Sequence, residues 1–192
     1  MSRWEPNARE RLARAALELF VERGYEATTV AEIADRAGLT KSTFFRYFAD
    51  KREVLSAGQD VLTEAFGDAI RKRPPETTII GCIAAALDAA SAAFTPDRHD
   101  FALRRRAVLE ANSELHEREL LKRALLTSTM ADALLERGAD EMTAHLAADL
   151  GVLALGITYT RWAEPENQQP FADIARIVLA ELQDCAAALG IG

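Results

Sequence analysis

Apolar positions recur at helical spacing through most of this chain, with Ala and Leu dominating and few strand formers between them. Leu12, Ala16, Leu19 and Phe20 mark the buried stripe of a helix over 8–22. Asn7 and Glu10 give it a capping-box-like start, and Gly24 a left-handed stop. Thr29 and Glu32 form a T-x-x-E box that opens a second helix, with Val30, Ile33, Ala34 and Ala37 inward. Gly38 closes it as Leu39 enters the shared core. Thr40 caps a third, aromatic helix over 40–48, too short to be stable without tertiary packing. Phe44 and Phe48, one turn apart, face the core and leave Lys41, Ser42, Phe45 and Arg46 to solvent or a ligand. Asp50 and Glu53 then cap a connecting helix expected to run from Lys51 to about Arg73, where two prolines end it.

Further helices are expected over 77–94, 100–111, 113–137, 142–163 and 171–189, with Asn112 or Ser113 as the cap of the third of these. The pattern predicts an all-α protein of about nine helices. A three-helix helix-turn-helix headpiece over 1–52 joins a larger helical domain over 53–192.

Composition excludes several classes of function. Apolar residues make up 49% and charged residues 28% of the chain, an ordinary soluble balance. No uninterrupted apolar run approaches about 18 residues, so no membrane span is expected. The segment MSRWEPNARE lacks the apolar core of a secretory signal, which points to a cytoplasmic protein. Cys82 and Cys185, each in an alanine-rich setting, read as buried small side chains in a reducing compartment. His99, His116 and His145 have no metal-ligand spacing, and there is no phosphate-cradling glycine loop, G-x-S-x-G elbow or C-x-x-C pair. Neither an enzyme nor a cofactor is expected.

The net charge of −7 argues at first against a nucleic-acid partner. Its distribution weakens that objection: residues 1–55 carry ten Lys or Arg against nine Asp or Glu, and the remainder thirteen against twenty-one. The field at a contact face matters more than the sum. Two short helices across a glycine turn can place a protruding helix in a DNA major groove.

The ordered set Gly24, Thr29, Ile33-Ala34, Ala37-Gly38-Leu39-Thr40, Thr43, Phe45-Arg46-Tyr47-Phe48, Lys51 and Leu55 resembles the DNA-binding headpiece of TetR-family transcriptional regulators. The resemblance covers roughly the first 55 residues. It implies a homodimer on palindromic double-stranded operators, with the helix over 40–48 in the groove. Lys41, Ser42 and Thr43 would then lie at or near base edges, with Thr40 as the cap beside them. Thr29, Phe45, Tyr47 and Lys51 match positions that commonly meet phosphates, and Arg46 adds positive charge. The family usually has tyrosine where this chain has Phe45. A phenyl ring cannot donate to phosphate, although it can pack on sugar or a thymine methyl, and core filler is the competing reading. Lys51, in the first turn of its helix, fits either a phosphate contact or plain surface placement.

The last two helices carry broad apolar stripes, with Leu150, Leu153 and Ile157 on one and Ile174, Ile177, Val178, Leu182 and Cys185 on the other. They fit either a four-helix dimer interface or one intramolecular core. Candidate effector-lining residues are Ile83, Leu87, Phe94, Phe101 and Tyr159, with Arg104, Arg105, Arg106 and Arg118 as a basic mouth. Such a site suits a hydrophobic molecule with an anionic head. RRRAVLEANSELHEREL also resembles, more weakly, the subgroup whose body takes acyl-coenzyme-A-like ligands; a solvated arginine face is the alternative. The expected function is ligand-responsive transcriptional regulation, by default repression with release by the effector. A DNA-independent dimeric carrier of a hydrophobic ligand, or an architectural DNA binder, is the rival.

Overall fold

The computed structural model describes residues 8–190, and every regular element among them is helical. Nine α-helices lie within that span: α1 (Ala8–Arg23), α2 (Val30–Arg36), α3 (Lys41–Tyr47), α4 (Gln59–Arg71), α5 (Ile79–Ser91), α6 (His99–Ala111), α7 (Ser113–Glu136), α8 (Glu141–Trp162) and α9 (Phe171–Ala188). Two 3-10 turns, Lys51–Ser56 and Pro96–Arg98, lie between them. The expected cap Asn7 is outside the described residues.

The chain divides into two compact units, Met1–Gln59 with Phe101–Leu120, and Asp60–Asp100 with Leu121–Gly192. In the first unit, α1 to α3 close around Leu12, Leu19, Phe20, Ile33, Phe44 and Phe48, and Val108, Leu109 and Leu115 of α6 and α7 complete the same core. Each turn has a local cause. Thr29 and Glu32 make the full reciprocal capping box at α2, and the Thr40 side chain accepts the Thr43 N–H at α3. Between them Gly38 takes φ +65°, and its Cβ position lies only 3.0 Å from Arg11 Nη2. That guanidinium donates to the Ala37 carbonyl at the end of α2. Glycine is needed there both for its backbone conformation and for the space that Arg11 occupies.

The expected unbroken helix from Lys51 to Arg73 is not formed. The chain makes a 3-10 turn over Lys51–Ser56, leaves helical geometry at Ala57, and passes through Gly58 at φ +88° before α4 begins. A left-handed glycine ends one helical segment and lets the next start in a new direction. Asn112 takes the expected place before α7, where its carbonyl accepts the His116 N–H. Its side chain donates to the Val108 carbonyl, tying off α6, and does not cap α7.

In the second unit α8 packs against α5 and α9. By length and composition alone α8 could cross a bilayer. In the fold its inward face consists of Ala144, Ala147, Ala148, Gly151, Ala154 and Thr158, covered by neighbouring helices. Small residues there permit close approach: a Cβ on Gly151 would stand 2.5 Å from Met130 Cε. Asp60 meets Lys122, Gly67 faces Thr129, and Arg71 pairs with Glu136, so α4 and α7 run in the same direction. Of the two cysteines Cys82 is buried as expected, whereas Cys185 is exposed. Burial on α9 stops after Leu179, and Cys185 lies beyond it.

Candidate nucleic-acid interface

The exposed side of α3 is built from the residues that the core does not take. Phe44 and Phe48 are 0% and 1% exposed, while Phe45 between them is 49% exposed. Lys41, Ser42 and Arg46 are exposed with it, and Thr43 and Tyr47 are half-buried. Thr40 and Thr43 join their hydroxyls at 3.0 Å over the start of the helix. The two cations lie over rings: Lys41 Nζ is 5.9 Å from the Phe45 centroid, and Arg46 Cζ is 5.1 Å from that of Tyr47. Neither forms an ion pair among the described residues.

Several charges of α1 and α2 are instead paired across the two helices. Arg36 pairs with Glu18 and Glu22, and Arg23 with Glu32. The Arg36 hydrogen bond holds the Glu22 carboxyl below its ordinary range. The Thr29 backbone and hydroxyl do the same for Glu32. A near-neutral headpiece therefore keeps uncompensated positive charge on α3, which is the arrangement a phosphate-bearing partner needs.

Lys51 has a role that spacing did not suggest. Its Nζ donates to the carbonyls of Tyr25 at 2.7 Å and Thr28 at 3.1 Å, and sits 4.0 Å from the Tyr25 centroid. It braces the loop between α1 and α2. The Tyr25 hydroxyl in turn donates to Glu114 on α7 at 3.2 Å, and burial followed by this carboxylate pushes the phenol well above its usual range. Thr29, expected near phosphate, is exposed and already engaged by Glu32 in its cap. Just beyond, burial opposes ionisation of Asp50, but Arg52 and the Glu53 N–H outweigh it and hold the carboxyl low.

The arginines expected at a ligand mouth have partners within the first unit. Arg105 donates to the Leu55 carbonyl and pairs with Glu119 at 2.7 Å, both side chains mostly buried at 11% and 16% exposure. Gln59 donates to the same carboxylate, and Arg118 pairs with Glu53. Arg106 pairs with Glu110, and Arg104 is exposed. Phe101 packs against the headpiece core. The other effector candidates belong to the second unit. Ile83 and Leu87 are core residues there, and Phe94 stacks on Phe171 at 4.1 Å beside Tyr159 and Trp162. Three of these braces were invisible in sequence because their partners lie 50 or more residues apart: Arg105 with Leu55, Gln59 with Glu119 and Arg118 with Glu53.

Residues 12–57 match the family model for bacterial regulatory proteins of the tetR family. They are a TetR-family headpiece. The chain is 47% identical over 66 residues to the HTH-type transcriptional regulator TcmR of Streptomyces glaucescens, covering 34% of this chain and 29% of TcmR. It is 47% identical over 49 residues to the HTH-type transcriptional activator FasR of Mycolicibacterium smegmatis, covering 26% and 22%. The matched part thus spans under a third of these relatives. Solved structures share the fold beyond the TetR-family segment. FadR of Bacillus subtilis, in complex with stearoyl-CoA, is 21% identical with a TM-score of 0.61 over 90% of this chain and 96% of its own. The fatty acid degradation regulator FadR of Bacillus halodurans is 21% identical with a TM-score of 0.56 over 93% and 95%.

Proposed function

We propose that this protein is a transcriptional regulator that binds a palindromic operator as a homodimer and responds to a hydrophobic effector. The observation that carries the reading is the exposed face of α3, where Lys41, Ser42, Phe45 and Arg46 stand outward over a core closed by Phe44 and Phe48. Lys41, Ser42 and Thr43 read base edges, and Arg46 and Tyr47 meet the backbone. Thr29 holds the α2 cap, and Lys51 the loop beside it, in the geometry that backbone contact requires.

Homodimerisation is supported by an inverted distribution of side chains on α8. Its small residues face the protomer core, while Met142, Leu146 and Leu153 stand exposed together with Ile177 of α9. Large apolar groups arranged this way suit a twofold helical interface. Leu150, Ile157 and Leu182 are half-buried at its edge and Cys185 is exposed, whereas Ile174 and Val178 are used inside the protomer. A twofold dimer sets two copies of α3 about 34–36 Å apart, one DNA turn.

The effector is a hydrophobic compound, and an acyl-CoA is the first class to test, since one structural neighbour holds stearoyl-CoA. Repression is the simplest mode, because occupancy of a promoter suffices, and the effector releases DNA by binding better to the state that does not fit the operator. Selection of the purified protein from a random duplex library at near-physiological salt tests the reading. An enriched inverted repeat is expected; a folded protein that enriches nothing overturns it.

A further inference from the structure

Phe45 is the one large apolar side chain on the outward face of α3, and the core does not require it. Its ring is nonetheless held. It meets the buried Phe44 ring edge-on, with centroids 5.5 Å apart at 80°, and Lys41 Nζ approaches from one turn back. An aromatic group fixed in this way loses little freedom when it is covered. Left in water it exposes half of its surface, so a partner that buries it gains the hydrophobic term directly.

A phenyl ring has neither donor nor acceptor, so phosphates and most base-edge groups offer it nothing. Across the major groove the bases present hydrogen-bonding groups and a single apolar substituent, the thymine 5-methyl. We propose that Phe45 is a specificity residue that reads one thymine in each operator half-site by packing its ring on that methyl. The inference rests on the DNA-binding reading above and adds the base it selects. Lys41, on the same face at i−4, is suited to the O6 and N7 acceptors of guanine. Side chains one turn apart are about 5–6 Å from each other, or up to two base steps of about 3.4 Å. The thymine therefore lies within two base pairs of the guanine that Lys41 contacts.

The test uses the full-length protein and the operator enriched from the random library. Each thymine of the half-site is replaced in turn by deoxyuridine, which removes the methyl and preserves every hydrogen-bonding group. At one position per half-site the wild type loses roughly 3–5-fold in affinity, and about 10-fold or more when both half-sites are changed. Phe45→Ala binds the thymine and uracil operators equally at that position, with unchanged circular dichroism and a cooperative unfolding transition, because the core is closed by Phe44 and Phe48 and not by this side chain. Phe45→Leu keeps part of the preference. The proposal is overturned if the wild type is indifferent to every replacement, if Phe45→Ala keeps the preference, or if the half-site contains no thymine. A selection that yields no repeat overturns the parent reading and this inference with it, whereas a repeat insensitive to uracil overturns the inference alone.

Discussion

The two units are both helical, but they are specified in different ways. The first is fixed by single residues at single places: Thr29 and Thr40 as caps, Gly38 at φ +65°, and Arg11 on the Ala37 carbonyl. The second is fixed by volume, with Ala144, Ala148, Gly151 and Ala154 of α8 letting α5 and α9 approach closely. A cap or a left-handed glycine tolerates few substitutes, whereas a packed surface accepts many side-chain combinations of the right size. Identity of 47% to TcmR is accordingly confined to 66 residues, while FadR of Bacillus subtilis shares the fold over most of the chain at 21%.

The largest test of this contrast lies in the second unit. Leu153→Arg with Ile177→Arg should convert a dimer to monomers in analytical ultracentrifugation. Operator affinity should then fall by roughly 100-fold or more, because a single half-site carries only part of the binding energy. Monomers with unaltered operator affinity would place the interface, or the function, elsewhere. In the first unit, Lys41→Ala with Arg46→Ala should weaken operator binding at least about 10-fold and flatten its salt dependence, with unfolding unchanged. An unaltered salt slope would mean that this face of α3 does not meet DNA.

Next in size are the long-range braces. Arg105→Met removes the guanidinium that pairs with the mostly buried Glu119 and donates to the Leu55 carbonyl, and should cost roughly 3 kcal/mol in denaturant unfolding. Arg105→Met with Glu119→Leu should recover much of that loss; failure to recover would assign the effect to the Leu55 carbonyl bond. Gly38→Ala should cost about 1–2 kcal/mol, from the left-handed backbone and the displacement of Arg11. The smallest effect concerns pH. Because the folded Glu32 carboxyl is held below its ordinary value, its contribution is present above the usual carboxylate range of about 4.3 and is lost as pH falls through the folded value. The difference between wild type and Glu32→Gln in unfolding experiments should shrink on acidification; a constant difference would remove the charge from the cap.

Much of the candidate interface was legible in the sequence because it is written in short-range terms. The positions of Phe44 and Phe48 dictated that Phe45, Lys41 and Arg46 face outward, and they do. The roles of Lys51 and Arg105 were not legible. A lysine after a helix cap looks the same in sequence whether it meets a phosphate or two carbonyls 23 and 26 residues away. An arginine run likewise does not announce that one member closes on Glu119 and the Leu55 carbonyl. The connecting helix was misread at Gly58, since a glycine inside a helical pattern ends it only where the backbone takes the left-handed conformation.

The sequence by itself determined the helical class, the headpiece caps and turns, and which face of α3 is turned outward. All of these depend on periodicity and on hydrogen bonds between residues a few positions apart. Only the tertiary structure decided which charges are neutralised, which apolar stripe is buried within the chain's own fold, and what Lys51, Tyr25 and Arg105 hold. Those outcomes depend on partners brought together across long stretches of chain, where burial and distance set the energy of each contact.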